Sequence, residues 1–196
     1  MARVGTFVGS ITDAGLGAHA IVNASNPDVV LGSGVSGAIR AACGGPPYQD
    51  EVSARFDEEF GEPLTADECL VTGPGASDAF RWVLHVPSVD YRTPDPETGR
   101  PSGPTRIRSC TAALLAEATR LAEEHGLTGQ MVVGVPLLGA SHGLQGEVAS
   151  ADCMMEAIAK SGGDTIAEVR FAVLSEPDAR LIVDCADKHG LQVTPG

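Results

Sequence analysis

The stretch "AIVNASNPDVVLGSGVSGAIRAACG", residues 20–44, decides the fold. It begins with an apolar run typical of a buried strand, continues as polar, glycine-rich chain, and ends in the apolar pattern of a helix. In open α/β sheets, ligands bind beyond the carboxyl ends of the strands, where loops lead into helix N-termini. Because the stretch contains a strand, a loop and a helix in this order, it predicts a ligand site at its centre.

The glycines and asparagines of this stretch suit such a site. Gly32, Gly34 and Gly37 let the backbone approach a ligand closely, and free N–H groups at the start of the following helix favour a phosphate oxygen. Asn23 and Asn26 offer neutral amides to a hydroxyl group or a base edge. The same spacing also fits a tight strand-to-helix connection that the asparagines only cap. The pattern alone leaves both interpretations open.

Outside this stretch, short β-rich runs alternate with longer helical patterns. Strands are predicted at residues 3–9, 19–24, 69–73, 80–89, 131–138 and 168–174, and helices at 34–44, 48–61, 105–125, 147–162 and 177–190. Strands that alternate with helices of this length need crossover connections and are covered on both faces. We therefore expect a three-layer α/β/α fold with a mixed, largely parallel central sheet. The length fits one domain, residues 1–196, with a single core.

Charge and composition narrow the class of partner. Lys and Arg number 13 against 26 Asp and Glu, a formal net charge of -13, which argues against general nucleic-acid binding. A small anion held by backbone N–H groups is still compatible with that charge. No apolar run reaches the length of a signal peptide or a membrane span, so no membrane partner is predicted. The five cysteines are odd in number and lack a CxxC pair, which indicates reduced, mostly buried thiols and a cytoplasmic protein.

One long segment interrupts the alternation of strands and helices. "DYRTPDPETGRPSGPT", residues 90–105, contains four prolines and two glycines and is predicted to lack regular structure. It is either a lid or binding loop, or a flexible surface insertion.

Two residues with reactive side chains, His85 and Cys43, are predicted to have structural roles. His85 lies in an apolar strand, where we expect a buried histidine with its hydrogen bonds satisfied. Cys43 has no histidine or acid beside it in sequence and is not predicted to be a nucleophile.

The order of residues in the opening stretch closely resembles the signature of macrodomains, a family whose members bind ADP-ribose or process ADP-ribose 1″-phosphate. That signature reads approximately "AIVNAAN", a short spacer and "GGGVxGAIxxAAG". Further segments resemble the family in order: "FVGSIT" (7–12), "ECLVTGPGAS" (68–77), "FRWVLHVPSV" (80–89) and the helix, strand and loop at 107–143. The resemblance covers nearly the whole chain, so the chain is identified as a divergent member of the family.

The resemblance implies a role for each matching residue. Backbone amides of two glycine-rich segments would hold the diphosphate of ADP-ribose: Gly32, Ser33, Gly34 and Val35 in the first, and Gly139, Ala140, Ser141, His142 and Gly143 in the second. Ser10 and Ile11, in "GSIT", would lie at the adenine. Asn26 would contact the ribose that carries the linkage to protein, called here the distal ribose, and Asn23 would brace the loop. The family's binding mode implies no metal and no cofactor.

Three positions depart from the family pattern. Ser10 replaces an aspartate that binds the adenine amino group, and a hydroxyl cannot supply the charge-assisted bond of that carboxylate. Ser36 stands where members that remove ADP-ribose from acidic side chains often have an aspartate that helps to position water. In the second segment "GASHGLQG" replaces a sequence near "STGVFG", so Gly143 occupies an aromatic position. His142 beside it is a candidate phosphate partner or acid–base group.

Two functions remain open at this point. The first is a hydrolase that binds ADP-ribose and cleaves an ADP-ribosyl linkage on a protein or in an ADP-ribose derivative, with Asn26, Ser36 and His142 as candidate catalytic residues. The alternative is a reader that binds ADP-ribose or a related nucleotide without turnover, which the serines at positions 10 and 36 favour. The expected partners are ADP-ribose or an ADP-ribosylated protein. A dinucleotide-dependent oxidoreductase is a weak third interpretation, because the GxGxxG spacing and its acidic ribose partner are missing.

Overall fold

The computed structural model of the chain describes residues 2–143 and 145–194. In these residues six strands form one sheet: β1 (Arg3–Val8), β2 (Ala20–Ala24), β3 (Leu70–Thr72), β4 (Trp82–Val86), β5 (Met131–Val135) and β6 (Ile166–Val173). The α-helices are α1 (Gly34–Ala42), α2 (Pro46–Glu59), α3 (Pro104–Glu124), α4 (Glu147–Ser161) and α5 (Glu176–Lys188). A short 3₁₀ helix at Ala14–Leu16 was not predicted, and Asp13 caps its N-terminus through a bond from the Gly15 amide.

The strands lie in the order β1-β6-β5-β2-β4-β3. All neighbouring pairs are parallel except β3 and β4, which are antiparallel. This arrangement confirms the prediction of a mixed, largely parallel sheet. The parallel strands end at one edge of the sheet, so the loops that follow them meet there.

The sheet divides the apolar interior into two clusters. Alternate residues of a strand point to opposite faces: Val22 of β2 packs in the cluster that includes α3, α4 and α5, whereas Ile21 packs in the cluster that includes α1 and α2. The fold is therefore the expected three-layer α/β/α arrangement. The expectation of a single core was wrong, because each face of a doubly covered sheet buries its own side chains.

Two predicted strands end earlier than expected. Residues 80–89 and 131–138 were predicted to be strands, but β4 ends at Val86 and β5 at Val135. Pro87 and Pro136 follow directly, and proline has no N–H group to continue a ladder. After each of these prolines the chain leaves the sheet, at the edge where the predicted site lies.

The cysteines and the helices bear on two further predictions. All five cysteines lie among the described residues, and each is buried and free, as the sequence predicts. Burial raises the pKa of the Cys43 thiol to about 11, so this side chain is protonated and unreactive at neutral pH. Within residues 2–143 and 145–194, no helix is both long and apolar enough to cross a membrane.

Candidate functional site

The connection from β2 to α1 is shaped by one asparagine. In this segment, residues 25–33 and called the first loop, Asn26 donates a hydrogen bond from Nδ2 to the Val30 carbonyl at 2.9 Å. Its Oδ1 accepts bonds from the amides of Asp28 and Val30 at 3.1 and 3.3 Å. Nδ2 carries two hydrogens, and the bond to Val30 uses only one of them. Asn26 therefore fixes its own loop and keeps one donor for a ligand.

A strained residue lies inside the same loop. Val29 has a φ of 51°, in the left-handed region that a β-branched residue rarely adopts. Such a conformation costs about 1–3 kcal/mol and persists where surrounding contacts enforce it. Here the Val29 side chain is buried and the two bonds of Asn26 bracket it. The loop therefore has one imposed shape.

The first loop ends at the N-terminus of α1. Gly34, with a φ of 59°, is the first helical residue, and Val35 lies in the first turn. A Cβ on Gly37 would lie 3.0 Å from the Gly32 carbonyl oxygen, so the chain turns too tightly there for a side chain. Within the described part of the chain, the N-cap residue Ser33 makes no side-chain bond to the helix. The first N–H groups of α1 are thus left to an external acceptor.

The second glycine-rich segment connects β5 to α4. This second loop comprises residues 136–146, with Leu144 outside the described residues. It is closed by bonds from the Gln145 amide to the Gly139 carbonyl and from the Gly146 amide to the Ala140 carbonyl, both 3.2 Å. Ser141 and His142 are exposed at its tip, whereas Gly139 and Gly143 are buried at its base.

The tip of the second loop lies against the start of α1, and we call the surface between the two loops the cleft. A Cβ built on Gly34 would lie 3.5 Å from Cε1 of His142, so the imidazole lies directly over the start of α1. The structure thus brings together residues that are more than 100 positions apart and that the sequence assigned to one site. Backbone N–H groups, a helix N-terminus and an imidazole converge there, which is an arrangement suited to an anion.

Asn23 and Ser36 lie beneath the first loop. Both are buried, and the Ser36 hydroxyl donates to Asn23 Oδ1 at 2.7 Å and to the Ala24 carbonyl at 3.2 Å. Asn23 Nδ2 in turn donates to His85 Nδ1 at 2.9 Å. Asn23 and Ser36 therefore connect α1 to β2 and β4.

The same chain of hydrogen bonds continues through the sheet. His85 Nδ1 is an acceptor, so Nε2 carries the proton and donates to Thr72 Oγ1 at 2.8 Å. Thr72 then donates to Tyr48 Oη at 2.8 Å, because the Tyr48 hydroxyl itself donates to the Gly73 carbonyl at 3.1 Å. Burial lowers the pKa of His85 to about 3, so the ring is neutral. This agrees with the prediction of a buried, hydrogen-bonded histidine.

The predicted adenine residues lie at the end of β1. The Ser10 hydroxyl is exposed, 2.9 Å from Thr12 Oγ1, and Ile11 is buried. The strands β6 and β5 separate β1 from β2, so three strand spacings of about 4.8 Å place Ser10 about 14 Å from the first loop. The predicted site residues are therefore spread along the edge of the sheet, and the cleft as we use the term extends from the two loops to Ser10.

A third segment borders this cleft. Residues 90–103, which we call the strap, contact both loops: Arg92 Nη1 lies 3.3 Å from Asp28 Oδ1, and the Tyr91 hydroxyl donates to the His142 carbonyl at 2.9 Å. These contacts favour the binding-loop interpretation of this segment. The sequence reasoning missed both Tyr91 and Arg92, and its only signal was the proline-rich composition.

Charge pairs hold the start of the strap. Burial alone would raise the pKa of Asp90, but a bond from the Thr93 hydroxyl, a bond from the Arg92 amide and the charge of Arg106 together lower it. Arg106 also donates to the Pro87 carbonyl at 3.2 Å, which connects α3 to the end of β4. The ionised carboxylate of Asp90 thus anchors the start of the strap to Arg106 at the beginning of α3.

The chain is similar in sequence to proteins of one known family. A family model, Macro domain, matches residues 22–146, more than half of the chain. The chain is 41% identical over 69 residues to a macro domain-containing protein from the sno 5′ region of Streptomyces nogalater, covering 35% of this chain and only 37% of that protein. It is 27% identical over 160 residues to a macro domain-containing protein of Caldanaerobacter subterraneus subsp. tengcongensis, covering 81% and 82%.

The chain also resembles solved structures in its fold. A mutant of the Oceanobacillus iheyensis macrodomain with ADPR has a TM-score of 0.75 and 21% identity, covering 94% of this chain and 91% of that chain. The same macrodomain with ADP has a TM-score of 0.74 and 21% identity, covering 93% and 89%. The Trypanosoma brucei macrodomain in complex with ADP-ribose has a TM-score of 0.68 and 22% identity, covering 93% and 68%. At these identities the likeness concerns the fold.

Proposed function

The chain belongs to the macrodomain family, and we propose that it binds ADP-ribose in the cleft between its two glycine-rich loops. The observation that carries the proposal is the position of His142 at the N-terminus of α1, where a Cβ built on Gly34 would lie 3.5 Å from the imidazole. A diphosphate there would accept bonds from backbone N–H groups in the field of a helix dipole. Local dipoles of this kind act where the net charge of -13 would otherwise repel an anion.

The rest of the cleft fits the remaining parts of this ligand. We assign the adenosine end to Ser10 and Ile11 at β1, and the distal ribose to the first loop, where Asn26 keeps one donor. The separation of about 14 Å between these positions suits an extended nucleoside diphosphate sugar rather than a single phosphate. Related macrodomains were solved with ADPR, ADP and ADP-ribose, which supports this class of ligand.

We further propose that the protein hydrolyses an ADP-ribosyl linkage, on a mono-ADP-ribosylated protein or in an ADP-ribose derivative. A water oxygen would attack the distal ribose carbon or the acyl carbon of an ester. Attack at the ribose carbon would break the bond between that carbon and the ester oxygen: the carboxylate leaves, the water oxygen becomes the ribose hydroxyl, and one water proton passes to a diphosphate oxygen or His142 and then to solvent. Attack at the acyl carbon would break the acyl C–O bond instead: one water proton passes through the same groups to the departing ribose oxygen, and the acid that forms ionises to the carboxylate. Asn26 would orient the water, and the loop amides would stabilise the phosphate charge.

Ser36 has a different part in this scheme. Its hydroxyl already donates to Asn23 and Ala24 inside the protein. We therefore assign it to the support of the first loop rather than to proton transfer. The buried, free cysteines fit a reducing compartment, and we place the protein in the cytoplasm.

A reader without turnover is the second candidate. The observation that favours it is the lack of a carboxylate at position 36, since a positioned general base is typically worth about 10²- to 10⁴-fold in rate. The first-loop carboxylate, Asp28, already pairs with Arg92 at 3.3 Å. A reader would bind the same ligand in the same cleft and leave the linkage intact.

Two assays test these proposals together. Calorimetric titration of the protein with ADP-ribose, with ADP and with inorganic pyrophosphate should give saturable binding of ADP-ribose, and its absence would overturn the binding proposal. Incubation with a mono-ADP-ribosylated protein should release free ADP-ribose, more slowly with Asn26→Ala. Binding without release by the wild type would instead establish the reader.

A further inference from the structure

The strap and the second loop fit together as one unit. Ser102, near the end of the strap, is fully buried against the base of the second loop. A Cβ on Gly143 would lie only 2.5 Å from the Ser102 Cβ and from the Gly139 carbonyl oxygen. A side chain at position 143 therefore has no room in this direction, because the strap occupies the space.

The other end of the strap places an aromatic ring at the cleft. Tyr91 is 66% exposed, and among the large apolar side chains that the described residues expose it is the one aromatic: Val8, Val30, Val148 and Leu174 are the others. Its hydroxyl is fixed on the His142 carbonyl at 2.9 Å. A tyrosine that is held by its polar tip and is mostly exposed can present its ring to a ligand.

The position of Tyr91 along the cleft follows from its neighbours. Arg92, the next residue, reaches Asp28 of the first loop at 3.3 Å, two positions from Asn26. Ser10 lies across β5 and β6 from this point. Tyr91 is thus at the Asn26 end of the cleft and far from the adenosine end.

We propose that Tyr91 contacts the distal ribose of the bound ligand and determines the preference for ADP-ribose over ADP. The inference rests on the proposed function and adds to it a specificity residue supplied by the strap. The ring covers the C–H face of the sugar, while the bond to His142 holds the ring in place. In this way the strap provides an aromatic surface at a loop whose own position 143 cannot hold a side chain.

The experiment is a titration of wild type, Tyr91→Ala and Tyr91→Phe with ADP-ribose and with ADP, which lacks the distal ribose. Tyr91→Ala should weaken ADP-ribose binding about three- to tenfold and leave ADP binding within about twofold. Tyr91→Phe keeps the ring and should lose less than Tyr91→Ala. Val148→Ala, an exposed apolar residue on α4, is the matched control and should change neither affinity. Thermal unfolding checks that every variant is folded.

Each other outcome overturns the proposal in a recognisable way. An equal loss for both ligands would mean that Tyr91 only supports the second loop. A loss for Tyr91→Phe as large as for Tyr91→Ala would assign the effect to the hydroxyl rather than to the ring. Unchanged binding by Tyr91→Ala would remove Tyr91 from the site while the proposed function stands. Failure of the wild type to bind either ligand would overturn the proposed function and the role of Tyr91 with it.

Discussion

The two glycine-rich loops face the same cleft but are held in different ways. The first loop is held by its own asparagine and by α2, since the Asn26 side chain bonds to backbone groups of Asp28 and Val30 and the Gln49 side chain bonds to the Leu31 amide and the Val29 carbonyl. The second loop is held by a segment that lies about 40 residues earlier in the chain: Ser102 packs against its base and Tyr91 bonds to its tip. The second loop, although closed by its own backbone bonds, therefore packs on the strap, whereas Asn26 and Gln49 of α2 support the first loop.

This difference separates two kinds of sensitivity. A change in the first loop acts on a backbone that has few alternatives, as the left-handed Val29 shows. A change in the second loop acts through the packing between two segments, where either partner can be altered. Substitutions in each loop can therefore test the comparison directly.

The largest effect is expected for Gly34→Glu, at the first residue of α1, where the first loop ends. Gly34 has a φ of 59°, its Cβ would face His142 at 3.5 Å, and a carboxylate there would repel a diphosphate. We expect calorimetry to show that ADP-ribose affinity falls by about 100-fold or more. Gly126→Glu is the matched control, since Gly126 has a φ of 68° and lies just after α3, outside the cleft. A Gly34→Glu variant that binds within tenfold of wild type would contradict the assignment.

The next largest effect is a loss of stability expected for Gly143→Ala, which adds one carbon at the base of the second loop. Gly143→Ala places a Cβ 2.5 Å from Ser102 and from the Gly139 carbonyl oxygen, and overpacking of this kind costs about 1–3 kcal/mol of unfolding free energy. Adding Ser102→Gly should restore part of the loss. In the first loop, a Cβ on Gly32 would meet no described atom within 4 Å, so Gly32→Ala should change stability by less than about 0.5 kcal/mol. Denaturant unfolding of the four proteins compares them, and equal losses for both alanine variants would refute the contrast.

The features that could be predicted from the sequence are those that neighbouring residues determine. Contacts between distant segments could not be predicted. The alternation of strands and helices gave the layered fold, and the spacing around Asn26 and Gly34 gave the first loop, because these patterns are set by neighbouring residues. The strap was predicted only as an irregular segment that is either a lid or binding loop or a surface insertion, because its proline-rich composition contains no periodicity. The contacts of Tyr91 and Arg92 were not predicted, since their partners, His142 and Asp28, lie far away in sequence. Ser36 shows a third case: its position in the family motif suggested a catalytic role, but its burial and its bond to Asn23 depend on tertiary packing.

The support beneath the first loop makes stability depend on pH. His85 is buried between Asn23 and Thr72, and burial lowers its pKa from 6.5 to about 3. Between these values the unfolded chain binds a proton that the folded chain does not. Stability from this group is therefore complete above pH 6.5 and decreases as the pH falls, by about 1.4 kcal/mol per pH unit. Denaturant unfolding at pH 7 and pH 5 should show a loss of about 2 kcal/mol from His85 in the wild type.

The control for this dependence is His85→Gln, which removes the titrating ring. The variant loses stability at every pH because the hydrogen-bond chain is altered, so the comparison uses the change between the two pH values rather than the stability itself. All other titrating groups are shared by the two proteins. A pH dependence in His85→Gln as steep as in the wild type would show that another group carries it.

The smallest effect is expected where the strap touches the first loop. Arg92 and Asp28 form an ion pair at 3.3 Å, with their side chains 51% and 50% exposed, and exposed pairs contribute about 0–1 kcal/mol. We expect a double-mutant cycle with Arg92→Gln and Asp28→Asn to give a coupling below about 0.5 kcal/mol that decreases with added salt. A coupling above about 1 kcal/mol would mean that the strap also holds the first loop. The contrast between the two loops would then fail, because the strap would support the first loop as well as the second.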